Sequence, residues 1–183
     1  MTSERPITCG SLFSGAGLGD IGLERAGFVH RWMVEIDPWR RQILEKRWPG
    51  IPKFADIEQL GGGNLEQVDL IAGGFPCQDI SSAGKGAGIT GEKSRLWYDM
   101  LRIIRVVRPR FVLVENSPNL LSRGMREVLG GLTESGYNAE WQVVGANDVG
   151  APHKRKRIWI VAYAPGVEWP TGTEKLESLP TRL

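Results

Sequence analysis

The 183-residue chain carries only two cysteines, Cys9 and Cys77, and its 23 basic and 21 acidic side chains leave a formal net charge of just +2. Two thiols cannot build a disulfide framework, and their separation is unlike any zinc-ligand spacing, so reduced thiols in a cytoplasmic protein without a metal are expected. No apolar run approaches the roughly 20 residues of a membrane-spanning helix, and no basic segment followed by an apolar stretch opens the chain. Neither a membrane partner nor a secretory leader is therefore expected. With so little net charge, no overall field points to a partner, and any basic surface must be local. Composition by itself neither suggests nor excludes nucleic acid. What is present, 41% hydrophobic and 24% charged residues, suits a water-soluble domain with a sizeable core. Glycine is abundant, at 24 residues, and gathers at a few places instead of following a repeat.

Those places fall between regular elements. Residues 7–13 read as a strand, and the turn from Ser14 to Gly19 leads into a periodic apolar segment that stops at Gly27. Residues 29–34 give a second strand ending at Glu35-Ile36-Asp37, with Asp37-Pro38 as helix cap and first helical residue ahead of a helix to Trp48. A short extended piece at 53–55 precedes a strong apolar run at 68–72, read as a buried parallel strand. Residues 75–94 lack periodicity and are rich in Gly and Ser, the pattern of a functional loop. A helix over 96–107, a strand at 111–114, a helix over 125–135 and strands near 139–144 and 158–162 complete the pass. Repeated βα units predict an α/β fold, a parallel sheet covered on both faces with ligands at the carboxyl ends of its strands. One domain over 1–164 and an irregular tail over 165–183 are expected.

Three strand ends carry groups suited to a nucleoside. Glycines in the turn let a ligand approach the backbone, and Glu35, twenty residues beyond Gly15, can accept hydrogen bonds from both ribose hydroxyls. Asp56-Ile57 follows the third extended piece. This pattern serves an NAD site and an S-adenosylmethionine (SAM) site equally, and it is also compatible with tight turns and a helix cap alone.

The reacting end lies further along. Cys77 follows Pro76 just after the central strand, where its thiol is either a small buried hydrophobe or a nucleophile activated by neighbouring donors. Glu115 terminates an apolar strand expected to lie beside Cys77, a position suited to sharing a proton with a ring nitrogen, and Asn116 either orients it or caps the next segment. In an extended segment Arg155 and Arg157 project to the same face, where two guanidinium forks can hold phosphate or a base carbonyl.

In chain order these stretches resemble the DNA (cytosine-5)-methyltransferase family, from about Ile7 to Ala164. Phe13-Ser14-Gly15-Ala16-Gly17-Leu18 looks like its SAM loop, Glu35-Ile36-Asp37 and Asp56-Ile57 like its ribose and adenine contacts, and Gly74-Phe75-Pro76-Cys77-Gln78 like its nucleophile motif. Glu115-Asn116 looks like the family's Glu-Asn pair and Arg155-Lys156-Arg157 like its paired-arginine motif, with His153 where the family usually has Gln.

The resemblance implies a Rossmann-like methyltransferase fold: a mostly parallel sheet, helices on both faces and a terminal antiparallel strand. It further implies SAM held by the Phe13–Leu18 loop with Glu35, Ile36, Asp56, Ile57, Gly74, Pro76 and Leu96. Duplex DNA with a flipped cytosine would be the substrate, in a restriction-modification setting, contacted by Gln78, Ser81 and Asn116. Cys77, Glu115, Arg155 and Arg157 would perform the chemistry, without a metal. The family's target-recognition region and final motifs are not found. A shortened chain, one part of a split enzyme with a separate recognition subunit, and a degenerate gene product all fit that pattern. The competing readings are a catalytically incomplete SAM-binding module, an RNA cytosine methyltransferase and an NAD-dependent oxidoreductase.

Overall fold

Apolar runs bounded by glycine, proline and charged residues become seven strands of one sheet. The structure, a computed structural model, describes residues 5–61, 63, 65–76 and 96–167. In chain order come β1 (Thr8–Leu12), α1 (Leu18–Arg25), β2 (Val29–Val34), α2 (Pro38–Arg47), β3 (Lys53–Phe54) and β4 (Leu70–Gly73). Then follow α3 (Leu96–Val107), β5 (Phe111–Asn116), α4 (Leu120–Arg123), α5 (Met125–Glu134), β6 (Asn138–Gly145) and β7 (Lys156–Tyr163). The sheet order is β3-β2-β1-β4-β5-β7-β6. Strands β1 to β5 pair in parallel, whereas β7 runs antiparallel between β5 and β6. The expected antiparallel strand is thus the last in the chain, but it is inserted within the sheet. The order reverses between β1 and β4, the switch point beside which open α/β sheets form their ligand crevice.

Several boundaries differ from the sequence expectation, most of them by one or two residues. The 68–72 run becomes Leu70–Gly73, because Val68 is buried in the core ahead of the strand and Asp69 turns its carboxylate to β1. The last two strands each extend to eight residues, since β6 and β7 pair in full register through polar positions that an apolar count does not register. The four-residue α4 has no counterpart in the expected elements.

The two faces of the sheet are unequally covered. On one, Trp97, Met100, Ile103 and Ile104 of α3 and Val128 and Leu132 of α5 pack on Ile71, Val112, Val114, Ile158 and Ile160, all buried. That is the apolar stripe read from the sequence, with Trp97 and Leu101 added and Leu96 only half-buried. On the other face α1 and α2 cover β1 and β2 through Met33, Leu44 and Trp48. Further along this face Leu113 of β5 packs beside Leu23 of α1, Val161 is half-buried and Trp159 of β7 is 36% exposed.

A register shift between Cys9 and Gly10 sets the side chains of β2. Cys9 pairs with His30 but Gly10 pairs with Trp32, so Arg31 is an extra residue that bulges outward. His30 and Met33 consequently point to the α1/α2 face, while Trp32 and Val34 enter the α3/α5 core. A Cβ on Gly10 would lie 2.1 Å from the Trp32 ring, so this close approach requires glycine.

At the opposite end of the sheet from the glycine loop, Asp69 ties β4 to β1. Its carboxylate accepts from the Thr8 N–H at 2.9 Å, the Thr8 hydroxyl at 3.0 Å, and both Arg5 guanidinium nitrogens at 2.7 and 2.6 Å. The Arg5 bonds hold its pKa down to about 2, with Thr8 adding to the effect against the opposing cost of burial. A depressed carboxylate stabilises the fold above its unfolded pKa near 3.8 and loses that contribution as pH falls toward 2. Asp69→Asn is expected to remove about 2 kcal/mol at pH 7 and to flatten the fall in stability between pH 4 and 2. Denaturant unfolding midpoints measured across that range check both.

Candidate functional site

The turn after β1 is fixed by its own backbone and by one acid. Phe13 (φ 57°), Gly15 (φ 58°) and Gly17 (φ 83°) all take positive φ, which costs an L side chain energy and favours glycine at two of the three. The Ser14 N–H donates to the Val34 carbonyl at 3.0 Å, the Gly17 N–H to the Ser14 carbonyl at 2.9 Å, and the Ser14 hydroxyl to Ser11 Oγ at 2.8 Å. Glu35, buried at the end of β2, accepts the Gly15 N–H on Oε2 at 2.7 Å and the Asp37 N–H on Oε1 at 3.0 Å. Each carboxylate oxygen keeps a further lone pair for a ligand. Nothing lies within 4 Å of the position a Cβ on Gly15 would take, so the space above the loop is open. Ala16 and Leu18 are exposed at its rim.

The segment beyond Glu35 is held from below. Arg41 donates to the carbonyls of Glu35 at 2.6 Å and Ile36 at 2.7 Å, and Asp37 caps α2 by accepting from the Trp39 and Arg40 N–H groups. Ile36 is left 73% exposed, an apolar side chain without protein cover beside the buried acid. Asp56 caps the short turn Ile57–Gln59, accepting from the Glu58 N–H at 2.9 Å and Gln59 Nε2 at 3.1 Å, and the Ile57 side chain is buried in the core.

The second group sits one and two strands away. A Cβ on Gly74 would lie 2.7 Å from Glu115 Oε2, so glycine is what allows the acid at the end of β5 to lie against the end of β4. Arg157 Nε lies 2.6 Å from Glu115 Oε1. Asn116, buried, donates from Nδ2 to the Phe75 carbonyl at 3.1 Å and accepts the Ser117 N–H, so it braces the backbone at buried Phe75 and half-buried Pro76 that leads into Cys77. Arg155 and Arg157 share a face as the two-residue spacing predicts, and with Glu115, Phe13, Ser14 and Gly74 they border a cleft of about 1060 Å³. Glu35 lies on the β2 side of the loop and does not border that cleft. Cys77, Gln78 and Ser81 lie outside the described residues, and Leu96 begins α3, packed against the core.

Sequence reasoning missed the direct Arg157–Glu115 ion pair, although both residues were singled out, because only strand register brings them together. It also missed Asp20 and His30, discussed below, and the signal there was faint: two polar residues at otherwise apolar positions. Among the described residues no group of three or more His, Cys, Asp and Glu could hold a metal ion. No described helix is long and apolar enough to cross a membrane.

Known proteins share this arrangement. A Type II methyltransferase of Bacillus subtilis, M2.BsuMI, is 35% identical over 160 residues, covering 83% of this chain and 41% of its own length. M.NgoBI of Neisseria gonorrhoeae is 33% identical, with 85% and 50% covered. The chain therefore spans about half the length of these relatives. Among solved structures, an Escherichia coli prophage-encoded DNA modification methyltransferase superposes with a TM-score of 0.72 at 26% identity, over 86% of this chain and 47% of that one. The Dnmt2 methyltransferase of Schizosaccharomyces pombe shares the fold, with a TM-score of 0.73 at 22% identity over 89% and 53%. The family described as C-5 cytosine-specific DNA methylase matches residues 7–182, and with the sheet order, the pinned glycine loop and the Glu115–Arg157 pair in place, this chain belongs to it.

Proposed function

We propose that this chain is the catalytic part of a SAM-dependent DNA (cytosine-5)-methyltransferase, acting on a cytosine flipped out of duplex DNA. The observation that carries the reading is the pairing of two units at neighbouring strand ends: a loop pinned through Gly15 to buried Glu35, and the Glu115–Arg157 pair beside Gly74. Relatives named as Type II methyltransferases support a restriction-modification setting.

The residues fit SAM. Glu35 offers acceptors for ribose hydroxyls, Ile36 an exposed apolar surface for an adenine, and the open backbone of Gly15 a close approach. Phe13, Ser14, Ala16, Gly17, Leu18, Gly74, Pro76 and Leu96 would complete the binding surface, with Asp56 and Ile57 shaping its far end. When bound, SAM supplies an electrophilic methyl group.

The remaining steps belong to the chain. The Cys77 thiolate adds to C6 of the flipped ring, while Glu115 hydrogen-bonds N3 and the exocyclic amine, so that electron density moves to C5, which takes the methyl group. A base then removes the C5 proton, and the C6–S bond breaks to return the thiolate. Arg157 aims the Glu115 carboxyl and, with Arg155, holds the base and its phosphates; Asn116 fixes the backbone entering Cys77, and Gln78 and Ser81 contact the nucleotide. The part-exposed Trp159 beside the cleft supports contact with a separate recognition subunit. A DNA substrate and the buried free thiol of Cys9 fit a cytoplasmic location.

Incubated with SAM and a duplex carrying 5-fluorocytosine, whose fluorine blocks the last elimination, the chain is expected to form a complex that survives denaturing electrophoresis, and Cys77→Ser to form none. An adduct with an equivalent RNA and not with DNA would make RNA the substrate, and SAM binding without any adduct would favour an incomplete binding module. Glu35→Ala is expected to weaken SAM binding roughly 10- to 100-fold by calorimetry, the worth of charge-assisted hydrogen bonds at one carboxylate. Tighter binding of NAD than of SAM by the unaltered chain would overturn the cofactor assignment.

A further inference from the structure

Asp20 is the single buried residue of α1, and its partner is a histidine on the neighbouring strand: His30 Nε2 lies 3.1 Å from Asp20 Oδ1, with both side chains almost fully buried. The other anchors of the helix lie further along it or nearer the surface: Glu24 pairs with Arg47 of α2 at 2.8 Å, and Ile21 and Leu23 pack on the core from half-buried positions. The helix N-cap, Gly17, makes no side-chain cap bond, and Leu18 is 81% exposed. Yet this helix begins where the Phe13–Leu18 loop ends.

His30 reaches the same loop by a second route. Its ring packs on Trp48 at 5.4 Å between centroids, and the Trp48 ring presses against Gly17, where a Cβ would sit 2.5 Å from it. One side chain on β2 thus anchors both the residue that starts α1 and the first turn that follows it. The β2 bulge at Arg31 is what allows this, because it turns His30 to the α1 face together with Met33.

We propose that the Asp20–His30 pair is a latch that preorganises the cofactor loop, so that its loss lowers cofactor affinity without unfolding the protein. The proposal rests on the SAM reading above. Asp20 and His30 are positioning residues, since they act through Gly15 and Gly17 of the loop. The Cys9 thiol of β1 and the Trp48 ring lie beside the pair. The Cys9 thiol is pushed up to about 12, first by burial and then by the Asp20 charge.

Replacing a buried pair by apolar residues of similar volume often leaves stability unchanged, whereas removing one partner strands a buried polar group. The test therefore uses the double variant Asp20→Leu/His30→Leu. Two readouts are taken on the intact chain: SAM affinity by calorimetry, and amide hydrogen exchange of residues 14–21 without cofactor, which reports the Gly15 and Gly17 N–H bonds directly. If the loop-competent population falls to a tenth, affinity falls about tenfold in proportion. The expected result is that loss, together with faster exchange confined to the loop and α1 and an unfolding midpoint near that of the unaltered chain.

Unaltered affinity and exchange in the double variant would overturn the latch. Should the apolar pair fail to fold, Asp20→Asn/His30→Phe, which keeps side-chain volume and the ring against Trp48 but breaks the bond between the two residues, decides. Lower affinity with faster loop exchange supports the latch, and values like those of the unaltered chain overturn it. Faster loop exchange in a protein that binds no SAM even unaltered would leave the latch standing and remove the cofactor reading instead.

Discussion

The carboxylate of Glu35 is the constraint from which the rest of the site follows. A charge buried at the end of a strand must find hydrogen-bond donors, and here it takes the Gly15 N–H from one side and the Asp37 N–H from the other. Satisfying the acid therefore fixes the turn after β1 relative to the turn after β2. The parallel sheet brings the ends of β1, β4 and β5 to the same edge, so the turn that Glu35 fixes lies beside what β4 presents. Placement of the acid thus precedes placement of the chemistry.

The unequal covering of the sheet shapes the other half. Helices α3 and α5 fill one face completely, which makes β4, β5 and β7 a rigid platform. The opposite face stays open beyond α1, and the cleft there runs from the glycine loop to Trp159. Trp159, 36% exposed, forms part of the wall of that cleft.

Much of this was legible because it is local. The glycine turn, Glu35 twenty residues on, the cap at Asp37-Pro38 and the apolar stripe of α3 are each written in contiguous sequence, and the family resemblance read from them agrees with the relatives found. The same-face placement of Arg155 and Arg157 follows from the two-residue period of an extended chain. Illegible were contacts that depend on register. The Arg157–Glu115 pair needs β7 to lie antiparallel beside β5, and nothing in either segment says so. His30 could not be assigned to a face, because a single bulged residue, Arg31, reverses the alternation on either side of it. Asp69 looked like the start of an apolar strand, whereas its carboxylate is committed to Arg5 and Thr8, more than sixty residues away.

The two halves of the site are held with different firmness, and the difference has a physical basis. Glu35 and the Asp20–His30 pair are buried, so exchanging their partners would expose uncompensated polar groups and the loop they hold stays put. Glu115 and Arg157 are about one-third exposed, and an ion pair so placed contributes up to about 1 kcal/mol. Their geometry is close, but water can replace either partner at small cost. In the proposed reading, an incoming base takes over the Glu115 carboxyl without a large penalty, and the missing Cβ of Gly74 is what admits the carboxyl at the end of β4. The strand ends thus combine a buried, fully hydrogen-bonded acid at β2 with a part-exposed ion pair at β5 and β7.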